Sequence, residues 1–141
     1  MVAEVHMLSD KFVRKQYITD PKKRNQKVML AHWNKELAAL MKLKNTKHFP
    51  NMVHYSNKNR FIDMSYCGEM VTKDTLPKNW KSQCSEIGRR LTKLKIYHND
   101  IFCKNITVKD GILHLIDFGL WGHSPGKHCS MIAAIEKELK V

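Results

Sequence analysis

The chain has 141 residues, with 25 Lys and Arg against 13 Asp and Glu and a formal net charge of +12. That length suits one compact unit or two very small lobes and excludes a second independent domain, and no linker, low-complexity tract or internal repeat divides it. No apolar run approaches a membrane span and no signal peptide is visible, while Cys67, Cys84, Cys103 and Cys129 lie far apart without a C-x-x-C pair, so neither a zinc site nor a disulfide framework is indicated and the thiols read as reduced and cytoplasmic.

In chain order, Val2 to Leu8 reads as a strand, and Ser9-Asp10 turns it into a second, Phe12 to Ile18. There Lys15 shares a face with Val13 and Tyr17. From about Lys27 to Leu43, the residues Leu30, Trp33, Leu37 and Leu40 mark one apolar helix face, and Glu36 lies on that face. An ionised carboxylate is expensive to bury there unless it is paired. One charge on each apolar face predicts a Lys15–Glu36 ion pair. Asn59 to Glu69 reads as a strand running into an extended segment broken at Gly68, and Trp80, Cys84, Ile87, Leu91 and Leu94 predict a core-packing helix over Trp80 to Ile96. Ile106 to Val108 and Ile112 to Ile116 flank Lys109-Asp110-Gly111, a hairpin pattern closed by an Asp-Gly turn. A last helix runs from about Ser130 to Lys140, with Met131, Ile132, Ile135 and Leu139 apolar.

The hairpin has a chemical consequence. A turn centred on Asp110 and Gly111 pairs residues whose numbers sum to about 221, which brings Asn105 and Asp117 to the open end. Two oxygen donors then converge, and Mg²⁺ takes hard oxygen ligands, keeps several waters and accepts the rest from phosphate. Asp100, just before the hairpin, is placed to accept the proton of an attacking hydroxyl.

His98-Asn99-Asp100-Ile101-Phe102-Cys103-Lys104-Asn105 and Asp117-Phe118-Gly119 resemble the H-R-D-x-x-x-x-N and D-F-G elements of protein kinases, with Asn99 replacing the Arg. His48-Phe49-Pro50-Asn51-Met52-Val53 resembles the His-Pro-Asn-Ile-Val phrase of that family, and Asn59 to Glu69 its hinge. The resemblance implies an α+β, truncated two-lobed fold: a small antiparallel sheet lobe (1–64), a hinge (65–69) and an abbreviated, mainly helical large lobe (70–141). It implies that Lys15, held by Glu36, contacts the α- and β-phosphates of ATP, that Met64 is the gatekeeper, and that the backbone of Ser65, Tyr66 and Cys67 meets the adenine edge. Asp100 becomes the base, Asn105 and Asp117 hold Mg²⁺ or Mn²⁺, and His98 is a buried structural residue. Lys104 stands where some kinases carry a cation that offsets transition-state charge; a plain solvent-facing lysine is the alternative.

The Gly-rich loop of the family should lie roughly fifteen to twenty residues before the strand Lys, whereas Met1 stands fourteen residues ahead of Lys15. Weak, lysine- and metal-dependent ATP binding follows. With twenty-two residues after Gly119 and no A-P-E element, the layout is similar to the Rio family or the small kinase-like ATPase of the tRNA threonylcarbamoyl machinery. Ser124-Pro125-Gly126-Lys127 is not a Walker A loop.

The expected activity is ATP- and Mg-dependent phosphotransfer to a protein Ser, Thr or Tyr hydroxyl, including autophosphorylation. A pseudokinase scaffold and a nucleic-acid-associated kinase or ATPase are the alternatives. The basic clusters Lys22-Lys23-Arg24, Lys42-Leu43-Lys44 with Lys47, and Arg89-Arg90 with Lys93 and Lys95 favour an acidic or nucleic-acid partner, such as a ribonucleoprotein substrate, although no aromatic residues are interleaved with them. Apolar helix surface left by the short large lobe offers a dimer or docking face. His123, His128 and Cys129 read as a polar loop rather than a metal site.

Overall fold

The computed structural model describes residues 3–18, 26–126 and 130–141. The cluster at 22–24, together with His128 and Cys129, lies outside the described residues. The described residues form an α+β fold, with two small antiparallel sheets and three α-helices.

The first sheet has the order β1-β2-β4-β3, built from β1 (Ala3–Met7), β2 (Phe12–Tyr17), β3 (Met52–Ser56) and β4 (Phe61–Ser65). Ser9 forms the first turn, its hydroxyl accepting from the N–H groups of Lys11 and Phe12, as short polar side chains do where they replace backbone partners. α1 (Gln26–Lys42) lies against this sheet. Trp33, Met29 and Leu40 pack with Val13, Tyr17, Ile62 and Met64 into one apolar cluster, where Tyr17 meets Trp33 edge to face at 5.6 Å.

The second core gathers Cys84, Ile87 and Leu91 of α2 (Trp80–Lys93) with Ile106, Leu113, Leu115 and Phe118, and with Met131, Ala134 and Ile135 at α3 (Met131–Leu139). α1 and the residue after it serve both cores: Trp33 and Leu40 enter the first, Ala39 and Leu43 the second. Leu30 and Leu37 are only partly buried, whereas Met29 and Ala39 go deeper, so the buried stripe is rotated from the leucine pattern.

The expected hairpin is β6 (Ile106–Lys109) with β7 (Ile112–Leu115), and every pair in its register sums to 221. Asp110 and Gly111 both have positive φ, 51° and 77°, as a two-residue turn matching strand twist requires. Two features differ from the sequence reading. The second half, in which α2 and α3 supply most of the regular structure, also carries a three-stranded sheet, because β5 (Glu69–Met70) joins β6 and β7. The helix predicted to run to Ile96 ends at Lys93, after which Lys95 adopts φ 57° and the chain turns into the loop before His98.

Gly68 joins the two sheets at φ +91°, and a Cβ there would lie 2.1 Å from the Val108 carbonyl oxygen. Gly88, within α2, has open space where a Cβ would stand. Gly68→Ala is therefore expected to destabilise by about 2–4 kcal/mol through overlap and backbone strain, and Gly88→Ala to stabilise by about 0.5–1 kcal/mol. Denaturant unfolding of both variants checks this opposition in sign.

Candidate functional site

A cleft of about 610 Å³ opens between the first sheet and the second core. Its walls include Val13, Lys15 and Tyr17 of β2, Glu36 of α1, Met64 and Ser65 at the end of β4, Tyr66 to Gly68 beyond it, and Asp100, Lys104, Ile116 and Asp117. The alternation of β2 is why Val13, Lys15 and Tyr17 face the same way. Within the cleft the charges are arranged around one ammonium: Lys15 Nζ lies 3.2 Å from Glu36 Oε1 and 3.4 Å from Asp117 Oδ1.

Glu36 is 1% exposed. It is satisfied on both oxygens, because Oε2 accepts the N–H of Phe118. Burial works against the Lys15 charge, but the Glu36 carboxylate, with Tyr17 and Asp117, overcomes it and holds the ammonium well above the ordinary lysine range. At Asp117, burial favours the neutral acid, yet the Lys15 ammonium and the Gly119 N–H outweigh it and depress the carboxyl. Asp117 has φ 63°, a left-handed conformation that Asp tolerates better than most residues. The following Phe118 is fully buried, 4.7 Å from the His98 ring and 6.0 Å from that of Phe49.

His98 is buried as expected. Its Nε2 donates to the Ile116 carbonyl at 2.8 Å, which leaves Nδ1 to accept the Asp100 N–H at 3.2 Å. One tautomer thus serves both bonds, and desolvation lowers the pKa of the ring. Asp100 is further held by Asn105, whose Nδ2 donates to the Asp100 carbonyl at 2.8 Å and to Oδ2 at 3.0 Å. Lys104 Nζ lies 3.8 Å from Asp100 Oδ2 and 5.6 Å above the Phe102 ring, and the side chain is two-thirds exposed.

The predicted site residues do not all behave alike. Lys15, Glu36, Asp100, Lys104 and Asp117 line one cleft together with Met64, Ser65, Tyr66 and Cys67, whereas Asn105 sits behind it. The hairpin does bring Asn105 and Asp117 to its open end, where the Ile116 N–H donates to the Asn105 carbonyl. The Asn105 amide nitrogen is nevertheless spent on Asp100, so the residue orients that carboxylate and has only its amide oxygen left for a metal. At the linker, the N–H of Ser65 donates to Asn51 O and that of Tyr66 to Lys11 O, while the Cys67 carbonyl accepts from Thr107 Oγ1. This narrows the expected Ser65–Cys67 edge, because among these three N–H groups only that of Cys67 is not used in this way among the described residues.

Three further residues shape the site. Asn99, with φ 65°, donates to the Leu120 carbonyl and accepts the Gly126 N–H, so it clamps the segment after Asp117. Trp121 Nε1 donates to the Lys35 carbonyl of α1. His32, one turn before Glu36, also lines the cleft and packs so closely on Gly119 that a Cβ there would meet its Nδ1 at 3.0 Å. The spacing of His32 to Glu36 was the available signal for the last; the partners of Asn99 and Trp121 are distant in sequence and left none.

Among the described residues, no group of three or more His, Cys, Asp or Glu side chains is gathered for a metal ion. The remaining option is sparse oxygen coordination by Asp117 and the Asn105 amide oxygen. Cys67, Cys84 and Cys103 are buried, and His123 packs on Trp121 at 5.0 Å. No described helix is long and apolar enough to cross a membrane. Comparison with protein-family models and with curated protein sequences finds no match.

Two outcomes follow. Lys15→Met leaves Glu36 buried with an uncompensated charge and is expected to cost about 3–5 kcal/mol, while Lys15→Met combined with Glu36→Leu costs less than Lys15→Met alone; urea unfolding of both variants reads this out. Asp117, depressed in the folded state, contributes stability above the usual carboxyl value near about 4 that is lost as pH falls through its lower folded value. Asp117→Asn is expected to flatten that acid limb, measured as unfolding midpoint against pH.

Proposed function

We propose that the chain is a minimal kinase-like phosphotransferase that binds MgATP in the cleft and passes the γ-phosphoryl to a protein hydroxyl, its own included. The observation that carries this reading is the convergence of Lys15, Glu36, Asp100 and Asp117, far apart in sequence, on one cleft. The reading is supported by the order of those residues and by the motifs that surround them.

Residues of this kind divide the work in a simple way. Lys15 supplies a fixed positive charge for the phosphates, and Glu36 holds it in place at no cost of reorganisation during reaction. Asp100, fixed by Asn105 and by the N–H bond to His98, orients the acceptor hydroxyl and takes its proton. Lys104 sits beside Asp100 and offsets charge that develops on the transferring group. The cleft also offers apolar wall, Val13, Met64 and Ile116, for the flat face of a base, and the Cys67 N–H for its polar edge.

Asp117 and the Asn105 amide oxygen fit Mg²⁺ or Mn²⁺, because hard cations of this size need few protein oxygens and complete their shell with water and phosphate. The ion would neutralise phosphate charge and fix the geometry of the leaving group. Asp117 Oδ1 faces Lys15 and its side chain is 44% exposed, so the carboxylate can be approached from the cleft.

A nucleic-acid-associated kinase or ATPase is the second reading, favoured by the net charge of +12. Asp117→Ala is expected to remove Mg²⁺-dependent binding of a fluorescent ATP analogue, and Asp100→Asn to keep binding while slowing phosphotransfer by about 10²–10⁴-fold. Exposed His123→Ala should alter neither. Nucleotide binding without any turnover in the unsubstituted protein, tested with radiolabelled ATP and Mg²⁺ or Mn²⁺, would favour a pseudokinase scaffold.

A further inference from the structure

A second concavity, of about 230 Å³, lies where the turn after α1 meets α2. Thr46, Lys47 and His48 form one side, and Glu86, Arg89, Arg90 and Lys93 the other. None of these residues lines the cleft that holds Lys15. Two basic clusters separated by some forty residues of sequence, that around Lys47 and that around Arg89, therefore meet on one small hollow.

At its base is a built donor. His48 is 3% exposed, and its Nδ1 lies 2.7 Å from the Leu113 carbonyl and its Nε2 3.2 Å from Glu86 Oε2. A carbonyl can only accept, so Nδ1 donates to Leu113, and Nε2 is the ring atom that faces the Glu86 carboxylate. An anionic oxygen thus already lies against the ring. Glu86 supplies it from a half-exposed side chain on the helix surface, and such a side chain can swing out to water when a stronger anion arrives.

The charge balance selects the anion. Lys47, Arg89, Arg90 and Lys93 face the single carboxylate of Glu86, a surplus of three positive charges. A phosphate monoester carries about −1.5 to −2 and a backbone diester only about −1 per group. Two guanidinium groups offer the forked donors that suit phosphate oxygens. Binding of single-stranded nucleic acid also calls for aromatic stacking platforms, and among the described residues no Phe, Tyr or Trp lines this hollow.

We propose that this pocket binds a phosphorylated Ser, Thr or Tyr side chain of a protein partner, the phosphate displacing Glu86 from His48 and taking its charge partners from Lys47, Arg89, Arg90 and Lys93. The assignment stands apart from the nucleotide reading, since it uses no residue of the cleft.

Fluorescence polarisation of a labelled peptide bearing one phosphoserine, titrated with the full chain, tests it. The phosphopeptide is expected to bind about tenfold or more tightly than its unphosphorylated form. Arg90→Glu and, separately, Lys93→Glu should erase most of that difference, Glu86→Gln should strengthen it, and Asp117→Ala should leave it unchanged. Lys58→Glu, the same charge change in the distant β3–β4 turn, should have little effect, and circular dichroism would show each variant folded. Equal affinity for the two peptides would overturn the proposal, as would a loss with Lys58→Glu as large as with Arg90→Glu. An oligoribonucleotide that binds through Arg90 and displaces the phosphopeptide would reassign the pocket to nucleic acid.

Discussion

The buried carboxylate of Glu36 is the constraint on which the arrangement depends. Its two oxygens face opposite ways: one meets Lys15 on the first sheet and the other takes the N–H of Phe118, next to the hairpin of the second core. A charge this deeply buried is stable only while both partners stay in place. The same residue therefore sets the position of α1, the reach of Lys15 and the height of the segment that carries Asp117. Separation of the two cores would strand the carboxylate, so cleft geometry and stability are coupled through one side chain.

Around that carboxylate the cleft is fixed from behind rather than from above. His98 ties the Asp100 loop to Ile116, Asn105 ties its own turn back to Asp100, and Asn99 reaches across to Leu120 and Gly126. Each bond runs between a loop residue and backbone of the neighbouring segment. Polar side chains that satisfy otherwise unpaired backbone groups hold loops where regular structure is absent. The front is different in character. β1 forms the edge of the sheet, with Val5 and Met7 largely exposed beside the cleft opening.

Much of this was legible in the residues because the signals were local or paired. Asp110-Gly111 specifies a two-residue turn, and once that turn is placed the strand register follows by counting. Lys15 and Glu36 each put a charge on an otherwise apolar face, and two such anomalies at compatible positions explain each other. β5 escaped because two residues carry no periodicity, and pairing with β6 is a tertiary event. The amide of Asn105 shows the limit of spacing: its backbone lies where the hairpin places it, but the orientation of the side chain is decided by the nearer oxygens of Asp100. The bonds of Trp121 to Lys35 and of Asn99 to Gly126 depend on how α1 and the two loops are packed, which no local pattern encodes.

The distribution of charge adds a last step. The cleft is close to internally balanced, since Lys15 answers Glu36 and Asp117, and Lys104 answers Asp100. The net charge of +12 must therefore reside largely elsewhere on the molecule, and one place where it becomes concave is the hollow between Lys47 and α2. Charges spread over a convex surface are screened within about 8–10 Å at physiological salt, whereas cations that share a small hollow reinforce one another and bind an anion they would ignore singly. His48 links this hollow to the interior, because the same ring that meets Glu86 also holds the Leu113 carbonyl beside the core.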